Sequence, residues 1–302
     1  MGEHIALLAN PYAGKGRGRD AADAALAHLR ARGAEVRTYA GRSATETAAL
    51  AARAIAERPR VLVLVGGDGT LSGILGAVRD TDLPIALVAA GTGNDLARAL
   101  GLPRHDAAAA AELALTGVAR RIDVGEIRTP AGSTPFLTVA ALGFDAKVSD
   151  RTNQLRWPRG KLRYYLAIIV ELVRLRPMDF TMTADGEEPA RRPGTLIAVA
   201  NTASYGGGMP VAAGAAPDDA LLDVVHVAPL GRFRLAMLFP LLLRGRHLER
   251  PEVTHRHARS VAVRAPGLVV YADGERIGEG ECTITVHPAA LTVMVPGEES
   301  HE

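Results

Sequence analysis

Val61-Leu62-Val63-Leu64-Val65-Gly66-Gly67-Asp68-Gly69-Thr70 decides how this chain is read. Five consecutive β-branched or leucine side chains describe a strand covered on both faces, the habit of a parallel sheet. The glycines end the strand, and the pattern of Leu71–Val78 continues as a helix. In open parallel sheets ligands bind outside the carboxyl ends of the strands. Glycines there remove side chains and let backbone N–H groups approach an anion, while the helix N-terminus behind them adds a favourable dipole. Asp68 then places a carboxylate in a site built for anions, which suits a divalent cation lying between carboxylate and phosphate. A glycine turn capped by Asp68 is the plainer alternative.

The same alternation extends outward. Ile5–Ala9, Val36–Tyr39 and Ile85–Val88 read as strands, and Asp20–Arg32, Asn94–Leu100 and Asp106–Leu115 as helices. Ser43-Ala44-Thr45-Glu46 has capping-box spacing and predicts a helix to about Glu57, with Pro59 as the stop. This β-α-β-α order predicts a parallel α/β sheet. Gly91-Thr92-Gly93-Asn94-Asp95 repeats the strand–glycine–helix logic after Ile85–Val88, although Asn94 or Asp95 also serves as a plain N-cap. A third loop, Asn10-Pro11-Tyr12-Ala13-Gly14-Lys15-Gly16, follows the first strand. Its spacing fits neither the Walker A nor the G-x-G-x-x-G pattern. Lys15 and Arg19 are candidates to face phosphates, with solvated charge as the alternative.

After Arg120 the texture changes. Short strand-like runs (Ile122–Arg128, Pro135–Leu142, Phe180–Ala184, Thr195–Ala200, Leu222–Val227, Val261–Ala265, Leu268–Ala272, Cys282–His287 and Leu291–Val295) are separated by Gly, Pro and Asp turns. That succession predicts an antiparallel sandwich or barrel. Helical inserts are expected at Lys161–Leu175 and Gly231–Leu243. The expected domains are 1–124 and 125–296, with the tail 297–302 frayed or returning to the first domain. Both inserts carry apolar faces with basic ends (Arg151, Arg156, Arg159, Lys161 and Arg163 around Trp157; Arg232, Arg234, Arg244 and Arg246 around Phe233). Such faces suit an anionic membrane interface, or simply cover a sheet.

Composition narrows the classes. Among 302 residues, 35 Lys and Arg against 33 Asp and Glu give a net charge of +2, and aromatics are 4%, so neither a general nucleic-acid binder nor a base-stacking platform is expected. Hydrophobic residues at 48% exclude disorder over most of the length. No uncharged apolar run approaches the roughly 18 residues of a membrane-spanning helix. The single cysteine, Cys282, excludes a disulfide framework and a cysteine zinc site within the chain and reads as a buried strand residue. The His-rich stretch His247…His255-Arg256-His257 could suggest metal; His255 and His257 alternate as on a strand face but have no acidic or Cys partner at useful spacing, and a solvated basic loop is the preferred reading.

Asn10-Pro11 with Gly14, Gly66-Gly67-Asp68-Gly69-Thr70, Gly91-Thr92-Gly93-Asn94-Asp95, Gly143-Phe144 and Asp273-Gly274-Glu275 stand in the order seen in the soluble diacylglycerol kinase and sphingosine kinase superfamily, which the chain resembles over nearly its whole length. The Gly66–Thr70 motif is shared with NAD kinases and phosphofructokinases; the Asn10-Pro11 start and the late Asp273-Gly274-Glu275 narrow the resemblance to lipid kinases. The resemblance implies a nucleotide-binding α/β domain joined to an antiparallel β-sandwich, with the active site in the cleft. It implies ATP as phosphoryl donor and Mg2+ organised by Asp68 and supported by Asp123. It implies nucleotide contacts from Asn10, Pro11, Gly14, Lys15, Gly66, Gly67, Gly69, Thr70, Gly91, Thr92, Gly93, Asn94 and Asp95, and Glu275 as general base. A structural magnesium is implied near Pro217–Asp223, with Asp219 and Leu222 as ligands, although Ala220 stands where the family has glycine; an acidic turn is the alternative there. Asp273-Gly274 is by itself a strong hairpin signal, compatible with a turn that aims Glu275.

The expected function is an ATP- and Mg-dependent kinase of a lipid hydroxyl, foremost diacylglycerol, in the cytoplasm and peripherally on an anionic membrane. Sphingoid bases, phosphatidylglycerol, monoacylglycerol, a soluble acceptor such as NAD, a sugar or an alcohol, and a nucleotide-sensing, membrane-docking regulator remain open. So does a homodimer.

Overall fold

The computed structural model describes residues 3–155, 157, 166, 167, 170, 171 and 174–297. The expected helix Lys161–Leu175 lies largely outside them. The chain divides into two compact units, Met1–Val124 with Pro288–Glu302, and Gly125–His287.

In the first unit, β1 (Ile5–Ala9), β2 (Val36–Ala40), β3 (Val61–Gly66) and β4 (Ile85–Ala89) form a parallel sheet in the order β2-β1-β3-β4. All residues of β1 and β3 are buried, which is why both read as unbroken apolar runs. Helices α1 (Arg17–Ala31) and α5 (Ala107–Thr116) pack together, as do α2 (Ala44–Ala56) and α3 (Asp68–Val78). The Ser43 hydroxyl accepts the Glu46 amide at 3.1 Å, and Glu46 in turn accepts the Arg42 amide, so the predicted cap forms. Strand order reverses between β1 and β3, and this switch point is where an open α/β sheet leaves a crevice beyond its carboxyl edge.

Two further strands join this unit. One is the start of β5 (Val118–Thr129) and the other the end of β16 (Cys282–Val295), which lies parallel to β4 with Val293 opposite Ile85. The sequence divides Cys282–His287 and Leu291–Val295 into two strands and groups both with the second domain. The structure has one 14-residue strand whose last part, from Pro288, packs in the first unit.

The second unit is a sandwich of antiparallel pairings. One sheet runs β12 (Val253–Ala258), β11 (Leu222–Val227), β10 (Leu196–Ala200), β7 (Val139–Gly143), β14 (Val269–Ala272), β15 (Glu275–Glu279). Facing it are β8 (Met178–Ala184), β9 (Ala190–Gly194), β13 (Ser260–Arg264) and the first part of β16, with the hairpin of β5 and β6 (Gly132–Phe136). Leu142, Ile197, Val224 and Val270 from one sheet meet Phe180, Val261 and Ile284 from the other in one buried core. On the outer face lie α6 (Phe144–Gln154) and α7 (Arg232–Leu242). Cys282 is buried in that core, and burial pushes its thiol up to about 12.

Candidate active site

The three glycine loops follow β1, β3 and β4, and they interlock. Asn10 donates from Nδ2 to Thr70 Oγ1 at 3.2 Å, while its Oδ1 accepts the Tyr12 amide. Asp68 accepts the Asp95 amide at 3.0 Å and the Leu96 amide at 3.3 Å, one on each carboxylate oxygen, so it fastens the second loop to the start of α4 (Asp95–Ala99). Arg17 donates to Gly14 O at 3.1 Å and Gly91 O at 2.8 Å, tying the first loop to the third. Lys15 and Arg19 are the cations that sequence spacing suggests. Arg19 is exposed on α1, the Lys15 side chain lies outside what is described, and Arg17 makes the link. No local motif marks Arg17; the contact spans 74 residues.

The glycines divide into two kinds. A Cβ at Gly14 would stand 1.9 Å from Ala90 O, at Gly66 2.5 Å from Thr70 Cβ, and at Gly67 2.7 Å from Gly91 Cα. These positions are glycine because backbones and side chains touch there. Gly69 is different: it is exposed in the first turn of α3, its φ is ordinary, and a Cβ would meet nothing within 4 Å. Asn94 sits at φ +54, donates from Nδ2 to Gly91 O at 3.2 Å, and leaves Oδ1 buried with no partner among the described residues. Thr92 is exposed, whereas Gly91 and Asp95 are buried. Asp123 is buried on β5, and its Oδ1 accepts the Ala289 amide at 2.8 Å, which secures the returning strand.

In the second unit Asp273 (φ +49) and Gly274 (φ +83) form the two-residue turn between β14 and β15, with Ala272 opposite Glu275, so the hairpin reading is correct. Asp273 has a role the sequence does not show. Its Oδ2 accepts the Leu137 amide at 2.9 Å, and its Oδ1 accepts the Thr138 amide at 2.8 Å and hydroxyl at 2.5 Å. These bonds fasten the turn beside the start of β7 and set where Glu275, itself exposed, projects.

At the other end of β7, Gly143 adopts φ +85 and the Phe144 amide donates to Thr195 O at 3.0 Å, starting α6. Phe144 lines a cavity of about 200 Å³ walled by Tyr205, Met209, Leu235, Phe239 and Val253 among other residues, nearly all apolar. The inner side of α7 forms one wall. Its outer side leaves Phe233 80% and Met237 54% exposed, and Leu243 beyond it is exposed too. Arg234 pairs with Glu252, holding that carboxyl below its ordinary value, while Arg232 and Arg244 are exposed. His247 is buried against the cavity. Its Nε2 lies 2.9 Å from Val211 O, and burial lowers its pKa.

At the acidic loop, Asp219 accepts the Leu221 amide at 3.0 Å, Ala220 takes φ +63, and Leu222 is buried at the start of β11. Asp219 thus closes an acidic turn. The solvated-loop reading of His255 and His257 is overturned. Both lie on β12, and their Nε2 atoms reach Asp223 Oδ1 on β11 at 2.6 and 3.3 Å. The acidic partner comes from another strand, out of reach of spacing arguments. Among the described residues no helix is long and apolar enough to cross a membrane.

The chain matches the family model described as the diacylglycerol kinase catalytic domain over residues 4–127, and the model described as the YegS C-terminal NAD kinase beta sandwich-like domain over residues 138–295. A Mycobacterium tuberculosis relative named "Diacylglycerol kinase" is 41% identical over 293 residues, covering 97% of this chain and 95% of the relative. A Pseudomonas fluorescens relative named "Probable lipid kinase YegS-like" is 32% identical, covering 98% of this chain and 97% of the relative. The fold is shared with a crystal structure of a diacylglycerol kinase from Bacillus anthracis at TM-score 0.73, 19% identity and 97% coverage of each chain. Matches of this extent across both units, together with the motif order, show that the chain belongs to the diacylglycerol kinase and YegS-like lipid kinase family and is a lipid kinase.

Proposed function

We propose that this kinase transfers the γ-phosphoryl group of ATP to the free hydroxyl of diacylglycerol, giving phosphatidic acid, at an anionic membrane surface and with Mg2+. The observation that carries the acceptor class is the apolar cavity under α7. A soluble acceptor such as a sugar or NAD would leave its polar groups without partners against that lining. The cavity is smaller than the roughly 300–1,000 Å³ usual for small-molecule sites, so it takes part of an acyl chain unless α7 lifts. Pro240 inside α7 leaves the Ala236 carbonyl without its helical donor, a local weakness that favours such lifting. Along β7 the cavity end at Phe144 and the Asp273 turn are separated by five strand residues, on the order of 17 Å at about 3.4 Å per residue. A glycerol backbone near Glu275 with chains pointing into the cavity fits that span.

The glycine loops fit a triphosphate. The space over Gly69 admits close backbone approach, and the unpartnered Asn94 Oδ1 offers an acceptor to a nucleotide N–H or O–H. Both Asp68 oxygens already accept amide hydrogens, so Asp68, with Asp123 in support, would hold magnesium through water using the remaining lone pairs. Bound there, magnesium supplies positive charge against the phosphate oxygens. The Glu275 carboxylate takes the hydroxyl proton as the substrate oxygen bonds to the γ-phosphorus and the bond to the β–γ bridging oxygen breaks; ADP leaves.

The exposed Phe233, Met237 and Leu243 with Arg232 and Arg244 form the membrane-facing side of the helix that walls the cavity. The test is phosphoryl transfer from labelled ATP with Mg2+ in mixed micelles containing anionic lipid. Diacylglycerol, a sphingoid base, phosphatidylglycerol, NAD and simple alcohols are compared. Preferential labelling of diacylglycerol supports the proposal; labelling of only a soluble acceptor overturns it.

A further inference from the structure

Asp223, His255 and His257 gather one ligand atom each within 4.8 Å of one another, the one such group of three among the described residues. Register explains the cluster. In the antiparallel pair of β11 and β12, Asp223 stands opposite His257 and diagonal to His255, and the two histidines, two residues apart, share a face. Arg256 between them turns the other way and pairs with Glu187 at 2.8 and 2.9 Å, so its guanidinium is held off the cluster's face. Asp223 is buried, its side chain 2% exposed, while His257 is 54% exposed on an edge strand.

We propose that these three residues form a binding site for a divalent first-row transition metal, zinc foremost, on the edge of the sandwich. The donor set is two imidazole nitrogens and one carboxylate oxygen, the combination that suits zinc or nickel rather than magnesium. It shares no ligand with the magnesium position proposed at Asp68 and Asp123, nor with Asp219 and Leu222. Tetrahedral zinc separates its nitrogen and oxygen ligands by roughly 3.3 Å. The His257–Asp223 contact already has that spacing, and the His255 contact of 2.6 Å widens when the bridging proton gives way to the metal. A buried carboxylate is costly unless its charge is compensated, and a dication held by all three side chains supplies that compensation. The exposed side of β12 leaves a coordination position for water.

The consequence reaches the cavity. Val225 pairs with His255, and Val225 and Val253 both line the apolar pocket. A metal joining β11 to β12 therefore stiffens one wall of that pocket.

The test uses the full chain after chelator treatment, titrated calorimetrically with zinc chloride in the absence and in the presence of excess magnesium chloride. One equivalent of zinc should bind with Kd in the micromolar range or tighter, that affinity should be unchanged by excess magnesium, and zinc should raise Tm. His257→Ala and His255→Ala should each weaken zinc binding by at least ~10-fold and remove the Tm rise. His257 is exposed enough that its replacement leaves folding intact, whereas Asp223→Asn alone risks misfolding. Absence of saturable zinc binding, or binding unchanged in the double histidine variant, overturns the proposal. Neither result depends on phosphoryl transfer, so this site and the kinase assignment stand or fall separately.

Discussion

Gly69→Ala is expected to make the protein more stable and less able to bind nucleotide. The added methyl meets no protein atom within 4 Å, the backbone φ suits alanine, and the position lies within the first turn of α3. Replacing a helical glycine by alanine then gains about 0.5–1 kcal/mol. At ~2–4 °C per kcal/mol for a large domain, Tm should rise by roughly 1–4 °C. If backbone N–H groups at this loop receive phosphate, the same methyl occupies the approach. Loss of about 1.4 kcal/mol or more then appears as at least ~10-fold weaker ATP binding. Gly67→Ala is the control of opposite sign. Its Cβ would stand 2.7 Å from Gly91 Cα, backbone that cannot yield, so Tm should fall, by an amount set by about 1–3 kcal/mol of overpacking. Differential scanning fluorimetry with ATP calorimetry measures both quantities. A Gly69→Ala protein with wild-type ATP affinity and turnover would refute the phosphate assignment of this loop, whatever its Tm.

Glu275→Gln should lower kcat by about 100-fold or more with Tm unchanged, since the side chain is exposed; near-normal turnover removes Glu275 as the base. Asp273→Asn should cost about 1–3 kcal/mol of stability through its amide and hydroxyl bonds and lower kcat more than it raises KM, read from denaturant melts and steady-state kinetics. Phe233→Ala with Met237→Ala should weaken co-sedimentation with phosphatidylglycerol vesicles without lowering Tm, because both side chains are exposed. Stability should depend on pH at both ends. Burial lowers the pKa of His226 and His247 below the ordinary 6.5, so their contribution is present above about pH 6.5 and lost as pH falls through the lowered values. Burial raises Cys282 from 9.0 to about 12, so its contribution is present below pH 9 and lost as pH rises toward 12; Cys282→Ala should flatten the alkaline limb.

What the sequence conceals follows a pattern. β3 is legible because every residue is buried and the glycines after it are local. The capping box of α2 is legible because its partners lie three residues apart. Among the strands that escape sequence reading, β9, β12 and β15 stand at sheet edges. Ala190-Arg191-Arg192-Pro193-Gly194 and Glu275-Arg276-Ile277-Gly278-Glu279 carry the charge and proline that keep edges from pairing further, and this erases the apolar alternation that identifies a strand. Thr254-His255-Arg256-His257 looks like a basic loop for the same reason. α6 is hidden differently: Asp145-Ala146-Lys147-Val148-Ser149-Asp150 shows few apolar positions, and the helix starts because Gly143 turns the chain and Phe144 bonds to Thr195. The cavity was illegible because its walls come from residues dispersed between Phe144 and Val253.

Two of the acidic residues that motif reading selects for chemistry also hold backbone: Asp68 receives the amides of Asp95 and Leu96, and Asp123 the amide of Ala289. Asp273, beside the selected Glu275, receives those of Leu137 and Thr138. Loss of activity in Asp68→Ala therefore does not separate a lost metal contact from a released loop, since two charge-assisted bonds go with the carboxylate. Asp68→Asn sharpens the question without closing it, because its NH2 group faces an amide donor where an oxygen was. The informative comparison is the magnesium dependence of turnover in Asp68→Asn against that in Arg17→Ala, which loosens the Gly91 loop through its bonds to Gly14 and Gly91 while leaving Asp68 in place. A carboxylate that holds magnesium through water predicts a higher magnesium requirement in the Asp68 variant alone. Equal shifts in both would make Asp68 a fastening residue and move the metal's protein contacts elsewhere.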